Sequence, residues 1–225
     1  MLKGIGHGDL LTDRAYAEIR EAIFAHVLPP GTALSVPELA NQLAISRSPV
    51  REAVQRLIYD GLAVAVPYKG AAVADLTIDD LVQLFEAREV LEGLATRGAT
   101  ERLTPSTKAM LEDVVEQHAE ALKQENLASH IELDMHFHSL IREAAGNKPL
   151  IEILDHLQAR VRLAMHSLWR RDDAPRRALE DHKRILAAML SGDPTAAEAA
   201  AKAHIARVRS ALIAEAGYQE ERSDE

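Results

Sequence analysis

The sequence predicts a mainly α protein in two parts: an N-terminal winged helix-turn-helix followed by an all-helical bundle of about six helices. Three observations carry that prediction. Two short amphipathic segments meet across a two-residue turn, and the second shows arginines on the faces that its apolar stripe leaves free. Two β-prone runs then flank a turn containing glycine, which is the pattern of a hairpin. From Thr77 onward the apolar spacing is helical, and only 4% of the 225 residues are aromatic, which favours packed helices over sheet. The expected organisation is a flexible lead-in over 1–10, the winged helix over 11–75, the helical domain over 76–218 and a polar tail over 219–225.

Arg14 to Val27 makes the first helix, with Ala15, Ile19, Ala22 and Ile23 on one side, and Pro29-Pro30-Gly31 breaks it. Ser35 to Leu43 makes the second, and Ala44-Ile45 is the turn. Ser46 or Ser48 caps the third helix, whose first turn accepts Pro49 because the missing N–H costs nothing there. Val50, Val54, Leu57 and Ile58 form its buried stripe, while Arg47, Arg51, Gln55 and Arg56 lie on other faces. Such a helix presents bidentate donors to base edges and phosphates, so it reads as a DNA-recognition helix. After Asp60-Gly61, Leu62 to Val66 and Ala71 to Ala74 are strands around the Pro67-Tyr68-Lys69-Gly70 turn. The segment Ala71 to Asp75 leads from this wing into the first bundle helix.

A net charge of −9 argues against DNA until its distribution is read. Residues 1 to 74 hold seven Lys and Arg against seven Asp and Glu, so the whole excess falls beyond them. Residues 46 to 59 hold three arginines against one glutamate, a local field that favours phosphate. The chain has no cysteine, which excludes disulfides and thiolate zinc sites and accords with a reducing compartment. No apolar run at the N-terminus is long enough for a signal peptide or a membrane span, so a cytoplasmic protein without a membrane partner is expected.

In the second half, breaks near Thr104-Pro105, Glu125-Asn126, Gly146 to Pro149, Asp172 to Pro175 and Gly192 to Pro194 divide the chain into about six helices, with no internal repeat. Leu81, Leu84, Phe85, Val90, Leu91 and Leu94 make the first of them amphipathic. On the third, Asp134 and His138 stand one turn apart on one face and can share a metal, whereas His136 points elsewhere. His182 and His204 follow on later helices. Three imidazoles and one carboxylate suit zinc first, with nickel and manganese as alternatives, and leave positions open for water or a ligand oxygen. His26, His118, His130, His156 and His166 read as surface or packing residues.

Pro30-Gly31, Leu39-Ala40, Ser46 to Ala53, Asp60-Gly61-Leu62 and Gly70 resemble the reader domain of GntR-type bacterial transcription regulators over roughly residues 11 to 75. The resemblance implies that Arg47 and Arg51 contact DNA and that Gly70 of the wing approaches the minor groove. Ser48, Gln55 and Lys69 complete the candidate DNA contacts. Val36 departs from the pattern, standing where the family often has an acidic residue. Asp134-x-x-x-His138 with Ala145-Gly146-Asn147, then His182-x-x-Ile185 with Gly192-Asp193, then His204, is similar to the helical C-terminal domain of the FadR-like (FCD) branch. There the resemblance implies a divalent metal on Asp134, His138, His182 and His204. It also implies a small carboxylate effector of the hydroxy-acid or sugar-acid class, neutralised by the arginine matching Arg88. An ion pair of Arg88 with Glu92 or Glu89 is the plain alternative. Arg162 and Trp169, the single tryptophan, are further effector-pocket candidates.

The expected function is a transcription regulator, not an enzyme. It would bind a double-stranded inverted-repeat operator as a homodimer, act as a repressor, and answer to the carboxylate at its metal. Two rivals remain open from residues alone: a metal-dependent hydrolase or lyase with an accessory winged helix, and a regulator whose metal is structural or is itself the signal.

Overall fold

The computed structural model describes residues 8–168 and 173–223. Its chain divides into two compact units, residues 1–76 with 159–163, and residues 77–158 with 164–225. Trp169 lies outside the described residues, and of His166 only its place in a helix is described.

The first unit is built from α1 (Gly8–Phe24), α2 (Val36–Leu43), α3 (Arg47–Tyr59) and the hairpin β1 (Ala63–Val66) and β2 (Gly70–Val73). Helix α1 starts inside the stretch expected to be a flexible lead-in, six residues before Arg14, and ends three residues before Val27. The early stop has a local cause: His26 is left-handed at φ 56°, and the Leu28 N–H donates back to the Ala22 carbonyl. Ala44 takes the left-handed conformation at the end of α2, with its N–H on the carbonyls of Ala40 and Asn41, which sets the tight turn into α3. Ser46 is the N-cap of α3 by backbone position, although neither it nor Ser35 caps through its side chain. Ile19, Ile23, Leu34, Val50, Val54, Leu57 and Leu62 fill the core between these elements. Val36, the residue that departs from the family pattern, packs partly buried against that core.

The hairpin is antiparallel in the register Ala63↔Val73 to Val66↔Gly70. The stretch after Gly31 adds to it, with Ala33 bridging Ala72 and the Leu34 N–H donating to the Ala71 carbonyl. That extra edge ties the wing to the helical core.

In the second unit the described residues form six helices: α4 (Ile78–Glu101), α5 (Pro105–Lys123), α6 (Leu127–Ala145), α7 (Lys148–Leu168), α8 (Ala174–Leu190) and α9 (Pro194–Ser223). The boundaries between successive helices fall at breaks that the sequence marks, whereas α9 continues to Ser223, into the stretch 219–225 expected to be a polar tail. Thr77 and Asp80 close a reciprocal capping box at the start of α4, Thr104 and Asn126 cap α5 and α6, and Gly146 ends α6 left-handed at φ 66°. Helix α4 packs along α9, α5 along α6, and α8 against α5 and α9. Leu111, Phe137, Ile141, Leu154, Ile185 and Met189 are fully buried between them. Val90 and Leu94, counted toward the apolar stripe of α4, instead remain 60% and 49% exposed.

Candidate metal centre and nucleic-acid interface

Helix α3 buries Pro49, Val50, Ala53, Val54 and Leu57 and leaves Arg47, Ser48, Arg51, Gln55 and Arg56 exposed. The period of 3.6 residues places the two sets on opposite faces. Among the described residues Arg47 and Arg51 form no ion pair, so their guanidinium donors are available to an external acceptor. Arg56 is different. Its Nη1 bonds Asp13 Oδ1 at 2.9 Å and its guanidinium lies 4.1 Å from the Tyr16 ring centroid. The Tyr16 hydroxyl in turn donates to Asp60 at 2.5 Å, so these side chains fasten α1 to the end of α3. Burial and Asp60 push the Tyr16 phenol up.

At the tip of the wing, Tyr68, Lys69 and Gly70 are exposed, and Gly70 adopts φ 91°. No atom lies within 4 Å of where a Cβ on Gly70 would stand. The glycine is therefore required by the backbone turn and not by crowding from the protein.

The bundle brings the four expected ligands together. Asp134 and His138 come from α6, His182 from α8 and His204 from α9, and one donor atom of each lies within 4.8 Å of those of the others. All four are buried, whereas His136 on the same helix is exposed. Phe137 stacks on His182 with ring centroids 4.2 Å apart and holds that imidazole in place. Burial pushes His182 down to about 3 and His204 to about 4, and lowers His138, so at neutral pH all three imidazoles are uncharged with lone pairs to give. Burial works against ionising Asp134, but His182 and the other imidazoles hold its carboxyl well below the usual range.

Neighbouring carboxylates orient two of the histidines. His204 Nδ1 lies 3.1 Å from Asp181 Oδ2, and His138 Nδ1 lies 3.7 Å from Glu92 Oε2, which in each case assigns Nε2 to the cluster. Asp181 is itself held by Arg184 at 2.8 Å and by Arg207. His182 Nε2 stands 3.3 Å from Asp134 Oδ1, yet neither of its ring nitrogens makes a hydrogen bond. A buried imidazole without hydrogen bonds beside a carboxylate is the environment a divalent cation completes, so the residues present fit the expected metal.

Arg88 is not on the helix surface. It is buried, and its Nη2 donates to Glu92 Oε1 and Gln158 Oε1, both at 3.0 Å. Arg142 reaches the same two acceptors at 2.5 and 2.7 Å. Of the alternatives left open by the sequence, the Glu92 pair is present, but as a buried interaction. Despite burial, Arg142 and the other cations around Glu92 hold its carboxyl well below the usual range. Arg162 falls in the 159–163 stretch that groups with the first unit, so the structure does not bring it to this cluster. His118 and His130, expected as surface or packing residues, are fully buried on α5 and α6, and His118 lies 5.3 Å from the His182 ring. His26 and His156 are part-exposed.

Sequence reasoning missed Arg142, Gln158 and Asp181, and it named Glu92 only as a helix-surface partner of Arg88. Arg142 had a signal, since Asp134, His138 and Arg142 recur every four residues on α6. Gln158 had none, because only the fold carries α7 to α4 and α6.

A winged helix with a free basic face, joined to a helical domain that gathers four metal-ligating side chains, defines the class of DNA-binding regulators with a second, helical domain. Comparison with known proteins agrees. Residues 11–73 match the model for bacterial regulatory proteins of the gntR family, and residues 83–207 match the FCD domain. The chain belongs to the FCD-containing gntR family of bacterial transcription regulators. It is 27% identical to the HTH-type transcriptional repressor RspR of Escherichia coli over 198 residues, 88% of this chain and 87% of that protein. Among solved structures, E. coli McbR/YncC superposes with a TM-score of 0.78 at 23% identity, covering 96% of this chain and 99% of that one. A GntR transcriptional regulator from Rhodococcus sp. RHA1 gives a TM-score of 0.75 at 26% identity, covering 90% and 97%. The relatives are named as transcription regulators, and this protein is a regulator and not an enzyme. Among the described residues no helix is long and apolar enough to cross a membrane.

Proposed function

We propose that the protein is a cytoplasmic repressor that binds an inverted-repeat operator as a homodimer and is controlled by a small carboxylate at a divalent metal. The observation that carries this reading is the buried group of Asp134, His138, His182 and His204, since a soluble domain does not bury three imidazoles and a carboxylate, with His182 unbonded, without a partner for them. A divalent ion there, zinc first and nickel or manganese next, would supply an open position to a carboxylate oxygen, and Arg88 would supply its counter-charge. Arg47, Ser48, Arg51 and Gln55 on α3, with Lys69 and Gly70 in the wing, are the DNA contacts of this reading. Two-fold pairing is supported by specificity, because one reader covers too few base pairs, and by the exposed Val90 and Leu94 on α4, which a second copy would cover.

The test is elemental analysis of dialysed wild type, His138→Ala and His182→Ala, together with operator affinity with and without added carboxylates. One ion per chain in wild type, lost in both variants, and a carboxylate-dependent change in DNA affinity are expected. Equal metal content in the three proteins would remove these residues from the site. Metal retention with no response to any carboxylate would favour a structural ion.

A further inference from the structure

Helix α4 has two faces. One buries Arg88 and Glu92 in the polar network, and the other carries Gln83, Ala87, Val90, Leu94 and Gly98 at helical spacing on its outer side. Val90 and Leu94, at the centre of that stripe, are the large apolar side chains of α4 that the bundle leaves uncovered. Ala87 and Gly98 flank them and are small, so another helix can approach closely there. The charges along this face are divided. Its N-terminal half shows Asp79, Asp80 and Glu86 to solvent and no exposed cation, and Glu86 meets Arg209 of α9 only at 3.7 Å. At the other end an open cleft of about 620 Å³ adjoins Leu94 and Gly98, and its lining holds the cations Arg97, Arg102 and Lys148 against the single acid Glu101. Lys148 forms no ion pair among the described residues, and Arg102 spends a donor on the Gly98 carbonyl at 3.2 Å. In a chain of net charge −9, a cationic cleft at one end of an apolar stripe and an acidic half at the other make the face complementary to itself.

We propose that this face receives a second copy of the chain, with α4 antiparallel to its counterpart about a two-fold axis that passes between positions 90 and 94. Val90 of each copy then covers Leu94 of the other. Ala87 lies opposite Arg97, Glu86 reaches that same guanidinium from beside it, and Asp79 and Asp80 extend toward the cationic cleft. A parallel two-fold pair would set the acidic half on the acidic half and the basic end on the basic end, which like-charge repulsion opposes. The inference rests on the homodimer reading above and gives it a surface and a register.

The chain has no cysteine, so each introduced thiol is the only one. Full-length Val90→Cys and Leu94→Cys proteins are oxidised separately and as a mixture. The mixture should yield disulfide-linked dimer several-fold more efficiently than either protein alone, because the antiparallel register sets 90 opposite 94 and offsets 90 from its own counterpart by about 6 Å along the axis. In sedimentation, Glu86→Arg and Arg97→Glu should each weaken the dimer by about ten-fold, since the symmetry repeats every pair, and the double variant should return to within about three-fold of wild type. If either thiol alone cross-links as well as the mixture, or if the charge reversals leave the dimer unchanged, the antiparallel register is overturned and the homodimer reading survives. If wild type sediments as a monomer at every concentration, both fall. The cysteine variants leave every charge in place, so a misfolded charge variant would not shelter the proposal.

Discussion

Glu92→Gln isolates the energetic role of the network because it keeps shape and one acceptor oxygen while removing the charge. In the wild type two buried guanidinium groups share the Glu92 carboxylate, so the local excess is one positive charge; in the variant it is two. Losing one partner of a buried pair costs about 3–5 kcal/mol, because the remaining charge stays in a low-dielectric site. Against a total stability of roughly 5–15 kcal/mol, that is a large fraction. For a chain of this size it corresponds to a fall in melting temperature of roughly 6–20 °C, at about 2–4 °C per kcal/mol. Thermal and urea unfolding of metal-free protein would measure it. The double variant Glu92→Gln with Arg142→Gln restores the wild-type excess of one charge and should recover at least half of the loss, which distinguishes charge imbalance from disturbed packing. Glu92 also faces His138 Nδ1, so the single variant should hold metal about 10–100-fold more weakly. A Glu92→Gln protein within about 1 kcal/mol of wild type, with unchanged metal affinity, would refute this account.

Three further outcomes are expected. Arg51→Ala should weaken operator binding by about 1–3 kcal/mol with lost base discrimination, and Arg47→Ala should do the same or reduce the salt slope by about one unit; titrations at several salt concentrations decide, and wild-type affinity in both would end the assignment of α3. Gly70→Ala should destabilise by about 1–2 kcal/mol from its positive φ alone, since the space is open, and an unchanged unfolding midpoint would show that the turn relaxes. Metal-free protein should lose stability on acidification. His182 and His204 titrate near 3 and 4 when folded but near 6.5 when unfolded, so below 6.5 the unfolded chain takes up protons first. Stability is full above about pH 6.5 and declines toward pH 3, and equal urea midpoints at pH 7.5 and 5 would contradict the burial of neutral imidazoles.

The two-part architecture, the recognition helix and the Asp134–His138 pair were legible in the chain because each is written in local spacing. A period of 3.6 residues separates Val50, Val54 and Leu57 from Arg47 and Arg51, and the break residues at 104–105, 125–126, 146–149 and 192–194 cut the bundle into its helices. Asp134 and His138 declare themselves as neighbours at i and i+4. His182 and His204 did not, since nothing local says that α8 and α9 meet α6; the family resemblance supplied that link and the packing realises it. The tertiary structure alone decided what surrounds those ligands. Glu92, Arg142 and Gln158 come from three helices, and Asp181 reaches His204 from another. Whether a charged residue on an amphipathic helix is solvated or buried depends on which helix covers it. That is a property of long-range packing, and it turned Arg88 from a surface residue into half of a buried pair of cations.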